Sequence, residues 1–86
     1  MTIDAPGIMP ALRGLVAEVL PRRSFVLAME ADAPLSQAGL DSLRTVELVS
    51  ALEERFGIRL EDDDLRDEYF TSLSGLSALL DRKGVR

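Results

Sequence analysis

Apolar residues recur at helical spacing along most of this chain, and no alternating run is long enough to suggest a sheet. In "IMPALRGLVAEVLP" the positions Ile8, Leu12, Leu15, Val16, Val19 and Leu20 fall on one helical face. Pro10 suits the first turn of that helix, Gly14 weakens it, and Pro21 stops or bends it. Residues 21–38 lack a long period, although Phe25, Val26, Leu27, Met29 and Leu35 are apolar. They read as a long connection lying on the core. Because long structureless loops are uncommon in compact domains, a short helical turn inside it, or an extension of the first helix past Pro21, is also allowed.

The clearest element is "DSLRTVELVSALEERFG". Asp41 is a good N-cap and Gly57 a good left-handed stop. Leu43, Val46, Leu48, Val49, Leu52 and Phe56 form more than one apolar stripe, so part of the helix faces the core and part of its apolar surface stays exposed. After Ile58 and Leu60 come acids that favour a short helix from about Asp63. Thr71 or Ser72 then caps a last helix with Leu73, Leu76, Leu79 and Leu80 on its buried side. Arg82 and Lys83 lie at its C-terminal end, where cations complement the dipole. The expectation is an all-α four-helix bundle with a long first loop and a short third helix. It occupies residues 1–86 as one domain, with a loose tail at 1–7 and loose residues at 84–86.

Composition narrows the function. Apolar residues make up 47% and charged residues 29% of the 86, too apolar for a disordered chain and enough for a thin aliphatic core. The net charge is −5. Between Asp41 and Phe70, ten acids face four arginines, so the whole excess lies in that segment. Such a chain repels nucleic acid and suits a basic protein partner, or simply a solvated surface. Without cysteine there is no disulfide, thiolate chemistry or cysteine-held metal. "EDDD" at 61–64 lacks the spacing of a calcium loop and reads as a solvated helix start. No run approaches the roughly 20 apolar residues of a membrane span. "MTIDAPGIMP" has neither a basic leader nor a long apolar stretch, so no membrane association and a cytoplasmic location are expected.

Ser42 invites a catalytic reading, but a serine nucleophile needs a positioned base. The chain has no histidine, and its one lysine is Lys83. Self-contained acyl transfer is therefore excluded as the working reading, and the chain is not expected to be an enzyme. With Asp41 as cap, however, Ser42 lies in the first helical turn. There free amides and the positive end of the dipole favour an attached phosphate. A serine modified by another enzyme needs only exposure; the plain alternative is that Asp41-Ser42 is just a good helix start.

The stretch "GLDSLRTVELVSALEERFGIRLEDDD" resembles the acyl carrier protein family, the phosphopantetheine-binding carriers of fatty acid, polyketide and nonribosomal peptide assembly. The likeness spans roughly Leu35 to Leu80 and centres on Asp41, Ser42 and Leu43. Val46-Glu47-Leu48, Leu52-Glu53-Glu54, Phe56-Gly57-Ile58 and "SLSGL" at 72–76 extend it. The resemblance implies that Ser42, with Asp41 and Leu43 around it, receives 4′-phosphopantetheine from coenzyme A through a separate magnesium-dependent transferase. The thiol of that arm would carry acyl or aminoacyl thioesters, which accounts for a working chain without cysteine. It further implies a monomer that meets in turn a phosphopantetheinyl transferase, an acyltransferase or adenylation ligase, and ketosynthase or condensation-type enzymes. Leu43, Val46, Glu47, Ser50, Glu53 and Glu54 would form the partner-facing patch, although Leu43 and Val46 equally suit an ordinary core. No metal site is implied in the chain itself.

Three positions depart from the fatty acid carriers. Arg44 stands where another acid is common, Ser50 replaces a frequent large apolar residue, and Arg55 interrupts the glutamates. These point to a discrete carrier of polyketide or nonribosomal peptide (antibiotic-type) biosynthesis, its cargo left open between acyl and aminoacyl. The alternative of another class is a carrier-fold helical interaction module without the arm.

Overall fold

A computed structural model of the chain describes residues 7–85. Most of the expected tail therefore lies outside the described residues, as does residue 86. Five α-helices follow in order: α1 (Met9–Val19), α2 (Arg23–Ala28), α3 (Ser42–Phe56), α4 (Asp67–Phe70) and α5 (Leu73–Arg82). Two 3-10 turns, Leu35–Ala38 and Asp62–Asp64, lie before α3 and before α4. No strand occurs among the described residues.

The helix ends follow from local chemistry. Leu20 is extended, as a residue before proline must be, and α1 stops there. Asp41 caps α3, its carboxylate accepting the Arg44 amide at 2.8 Å, and Gly57 ends the helix in the left-handed region. Of the two candidate caps for α5 the fold uses Ser72, whose Oγ accepts the Gly75 amide at 3.0 Å.

One apolar core joins all the long helices. Leu12 and Val16 of α1, Leu48 and Leu52 of α3, and Leu73, Leu76, Leu79 and Leu80 of α5 are fully buried. Each such leucine contributes about 1.5–3 kcal/mol of transfer free energy. Helix α1 is the hub, packing against α2, α3 and α5. Helix α4 packs on α5, and the approach is close because position 75 is glycine. A Cβ there would stand 2.5 Å from the Glu68 carbonyl oxygen and 2.9 Å from that of Tyr69.

The fold sharpens the sequence reading at three places. First, the connection 21–38 holds the short helical turn that its length allowed: it contains α2 and a 3-10 turn, so the described bundle has five helices, the extra one inside the long first loop. Val26, Met29, Leu35 and Ala38 from this segment are core residues. The Arg13 guanidinium donates to the carbonyls of Val26 and Met29, at 2.8 and 2.6 Å, and so caps α2 from α1. The Leu35 and Ser74 amides donate to the carbonyls of Thr71 and Ala31, which ties the loop to the α4–α5 junction.

Second, "EDDD" is not merely a solvated helix start. Asp64 is 2% exposed and receives the Glu61 amide, the Arg82 guanidinium and the Lys83 ammonium. Third, the two cations stand at the end of α5 as expected, and there they are also partners of this buried carboxylate. At the expected loose C-terminus, Val85 packs partly buried on the core and donates its amide to the Leu80 carbonyl.

Candidate functional site

The approach to α3 is a tight turn. Gly39 ends the Leu35–Ala38 3-10 turn at φ 101°, and a Cβ at this position would collide with the Pro21 ring, so only glycine fits. Leu40 then leads into Asp41, which is extended and caps α3. Thr45 reinforces the cap, its hydroxyl donating to the Asp41 carbonyl at 2.7 Å. Ser42 is the first residue of α3 and is exposed, and its hydroxyl has no hydrogen-bond partner among the described residues. The first amides of a helix lack intrahelical acceptors. Arg44 spends its amide on the Asp41 carboxylate, which leaves those of Ser42 and Leu43 at the positive end of a 15-residue dipole.

The structure separates the remaining candidates. Leu43 and Val46 are 64% and 65% exposed, whereas Leu48 and Leu52 of the same helix are fully buried. The even choice between core and surface thus resolves to surface for both. Glu47 is exposed and paired with Arg44 at 3.0 Å; Ser50 and Glu54 are exposed further along. Glu53 differs, because its carboxylate accepts the Leu60 amide at 2.7 Å and holds the chain after α3 in place. Asp41, Ser42, Leu43, Val46, Glu47, Ser50 and Glu54 therefore share the exposed side of α3, and Glu53 turns partly inward.

Beside this side runs a groove of about 540 Å³, walled by Leu40, Val46, Val49, Leu65 and Phe70. Leu65 and Phe70 had no signal in the sequence beyond an apolar residue among acids. They reach the groove because α4 folds back on α5. Among the described residues no group of carboxylates could hold a metal ion, and no helix is long and apolar enough to cross a membrane.

An exposed hydroxyl, two free amides and an adjoining groove suit a phosphodiester-linked arm at this helix start. Residues 10–80 match the family model described as a phosphopantetheine attachment site. The chain is similar to the chloroplastic acyl carrier protein 4 of Arabidopsis thaliana, 49% identical over 47 residues, covering 48% of this chain and 34% of that protein. It is also 42% identical over 57 residues to an acyl carrier protein of Nitratidesulfovibrio vulgaris, covering 66% of this chain and 63% of that one. The chain thus spans about a third of the plant relative and under two thirds of the bacterial one. The group such attachment domains hold, covalently, is 4′-phosphopantetheine. With a family match over most of its length on an all-helical fold of this shape, the chain belongs to the acyl carrier protein family.

Proposed function

We propose that this chain is a discrete carrier that holds biosynthetic intermediates on 4′-phosphopantetheine attached to Ser42. The pathway is polyketide or nonribosomal peptide synthesis, and the carrier works in the cytoplasm as a monomer. The single observation that carries the reading is the exposed Ser42 hydroxyl in the first turn of α3, without a hydrogen-bond partner among the described residues. When bound, the arm supplies a terminal thiol on which cargo rides as a thioester.

The chain's own residues prepare and present the site. Asp41 fixes where the helix begins, so the hydroxyl projects from a rigid turn. The Ser42 and Leu43 amides and the helix dipole favour the phosphodiester charge. As the Ser42 oxygen bonds to the phosphorus that carries the pantetheine, the pyrophosphate bond of coenzyme A breaks, adenosine 3′,5′-bisphosphate leaves, and, with no histidine in the chain, the serine proton passes to a base on the transferase. Leu43 and Val46 then offer an apolar contact to each partner, and Glu47, Ser50 and Glu54 offer polar ones. The pathway assignment rests on Arg44 and Ser50, which break the acidic and apolar pattern of the fatty acid carriers. Partners in turn are the phosphopantetheinyl transferase, an acyltransferase or adenylation ligase, and a ketosynthase or condensation enzyme.

The test is intact-protein mass after incubation with coenzyme A, magnesium and a broad-specificity phosphopantetheinyl transferase, with Ser42→Ala in parallel. A gain of one phosphopantetheinyl group by the wild type alone is expected. No gain by folded wild-type protein would leave a carrier-fold interaction module without the arm. Loading assays with ligases and acyltransferases then choose between aminoacyl and acyl cargo.

A further inference from the structure

We propose that Arg44 is a specificity-determining residue of the docking surface, an inference that rests on the carrier reading of Ser42. Arg44 admits partners that set a carboxylate against it beside an apolar hollow for Leu43 and Val46. It disfavours partners whose docking face is uniformly basic.

The argument starts from charge along α3. From Ser42 to Ser50 the helix carries one cation and one anion, Arg44 and Glu47, and the two are bonded to each other at 3.0 Å. The Asp41 carboxylate is turned to the Arg44 amide. Glu47 is therefore neutralised by Arg44, and the net charge beside Ser42 is the single negative charge of the exposed Asp41, far less than a run of acids along α3 would place there. An incoming arginine that seeks Glu47 has to displace Arg44 and then remain beside it. The resident pair is weak, with side chains 37% and 47% exposed, so it can be broken. What opposes the arginine is chiefly the like charge left next to it, and such juxtaposition suppresses wrong partners.

Arg44 can also attract. A guanidinium has five N–H donors in a rigid fork, and one group of this fork is engaged, by Glu47. The rest can bind a partner carboxylate in bidentate fashion. Leu43 and Val46, more than three-fifths exposed, supply the apolar contact that such a charge pair would orient. The exposed acids Asp62 and Asp63, on the 3-10 turn before α4, gather with Glu53 toward the last turns of α3.

The experiment uses the full chain and a phosphopantetheinyl transferase with an arginine-rich docking face. Wild type, Arg44→Glu and Arg44→Lys are compared by steady-state modification of Ser42. Arg44→Glu should lower KM about threefold to tenfold with kcat unchanged. With this arginine-rich transferase, Arg44→Lys keeps the charge and should match wild type. A transferase carrying glutamate in place of one docking arginine should reverse the order, favouring wild type. Equal KM for wild type and Arg44→Glu with both transferases would overturn the inference while leaving the carrier reading intact, because end-point mass still reports the arm. No arm on any variant, the wild type included, would overturn the carrier reading and this inference with it.

Discussion

The Lys83 ammonium lies 2.8 Å from the Asp64 carboxylate, an ion pair across nineteen residues that fastens the turn before α4 to the end of α5. Arg82 holds the other oxygen at 3.0 Å, and Asp64 itself is almost fully enclosed. The same carboxylate accepts the Glu61 amide, so one side chain closes a capping box and joins two parts of the fold. Since α4 follows that turn closely, the pair also helps to place the wall that Leu65 and Phe70 give the groove along α3.

This pair makes stability depend on pH in a defined window. Lys83 first, then the Glu61 amide and Arg82, lower the Asp64 carboxyl from its ordinary 3.8 to about 2, against burial that pushes the other way. A depressed acid contributes fully above its unfolded value and loses the contribution as pH falls through its folded one. Asp64→Asn should therefore melt at lower temperature than wild type at neutral pH, with the gap closing from about pH 4 to pH 2. Parallel Tm curves across that range would show that the ion pairs contribute nothing.

Gly75→Ala opposes two effects of known size. Alanine gains about 1 kcal/mol of helix propensity over glycine. Its methyl group would meet the backbone carbonyls of Glu68 and Tyr69 at 2.5 and 2.9 Å, and overpacking of this kind costs about 1–3 kcal/mol. Because the obstacle is backbone, a net loss is expected in urea denaturation. A more stable variant would mean that α4 shifts freely on α5.

Exposure on α3 predicts which leucines matter for folding. Leu52→Ala should cost about 2–5 kcal/mol because it opens a cavity in the core. Leu43→Ala and Val46→Ala should stay within about 0.5 kcal/mol of wild type. If the docking proposal holds, these two nevertheless slow modification and loading. Normal rates with every partner would remove them from the docking surface.

The two neighbouring glutamates should behave differently. Glu53→Ala deletes the acceptor of the Leu60 amide and is expected to cost about 1–2 kcal/mol. Glu54→Ala, on an exposed side chain, should leave thermal stability unchanged. Equal losses would place Glu54 in the fold rather than on the docking face.

Much of this was legible in short stretches of sequence, because the physics involved is local. The Asp41 cap sits three residues from the amide it serves, Gly57 ends α3, and the α5 leucines repeat with the helical period. Those features led to Ser42 at an exposed helix start and to the resemblance built on it. Interactions that bridge distant residues gave no such signal. Arg13 caps α2 from thirteen and sixteen residues away, so residues 23–28 read as part of a long connection that could hold a helical turn, with no signal for where. Asp64 looked like one solvated acid among four because its partners lie eighteen and nineteen residues on.

The sequence by itself determined the all-helical class, the Asp41 cap and Gly57 stop of α3, the absence of histidine and the serine at the start of α3. Each depends on periodicity, residue identity or hydrogen bonds within one turn. Tertiary structure alone decided which apolar residues of α3 are buried. Leu43, Val46, Leu48 and Leu52 are alike in chemistry, and only the packing of α1 and the shared core against one side of the helix separates core from surface.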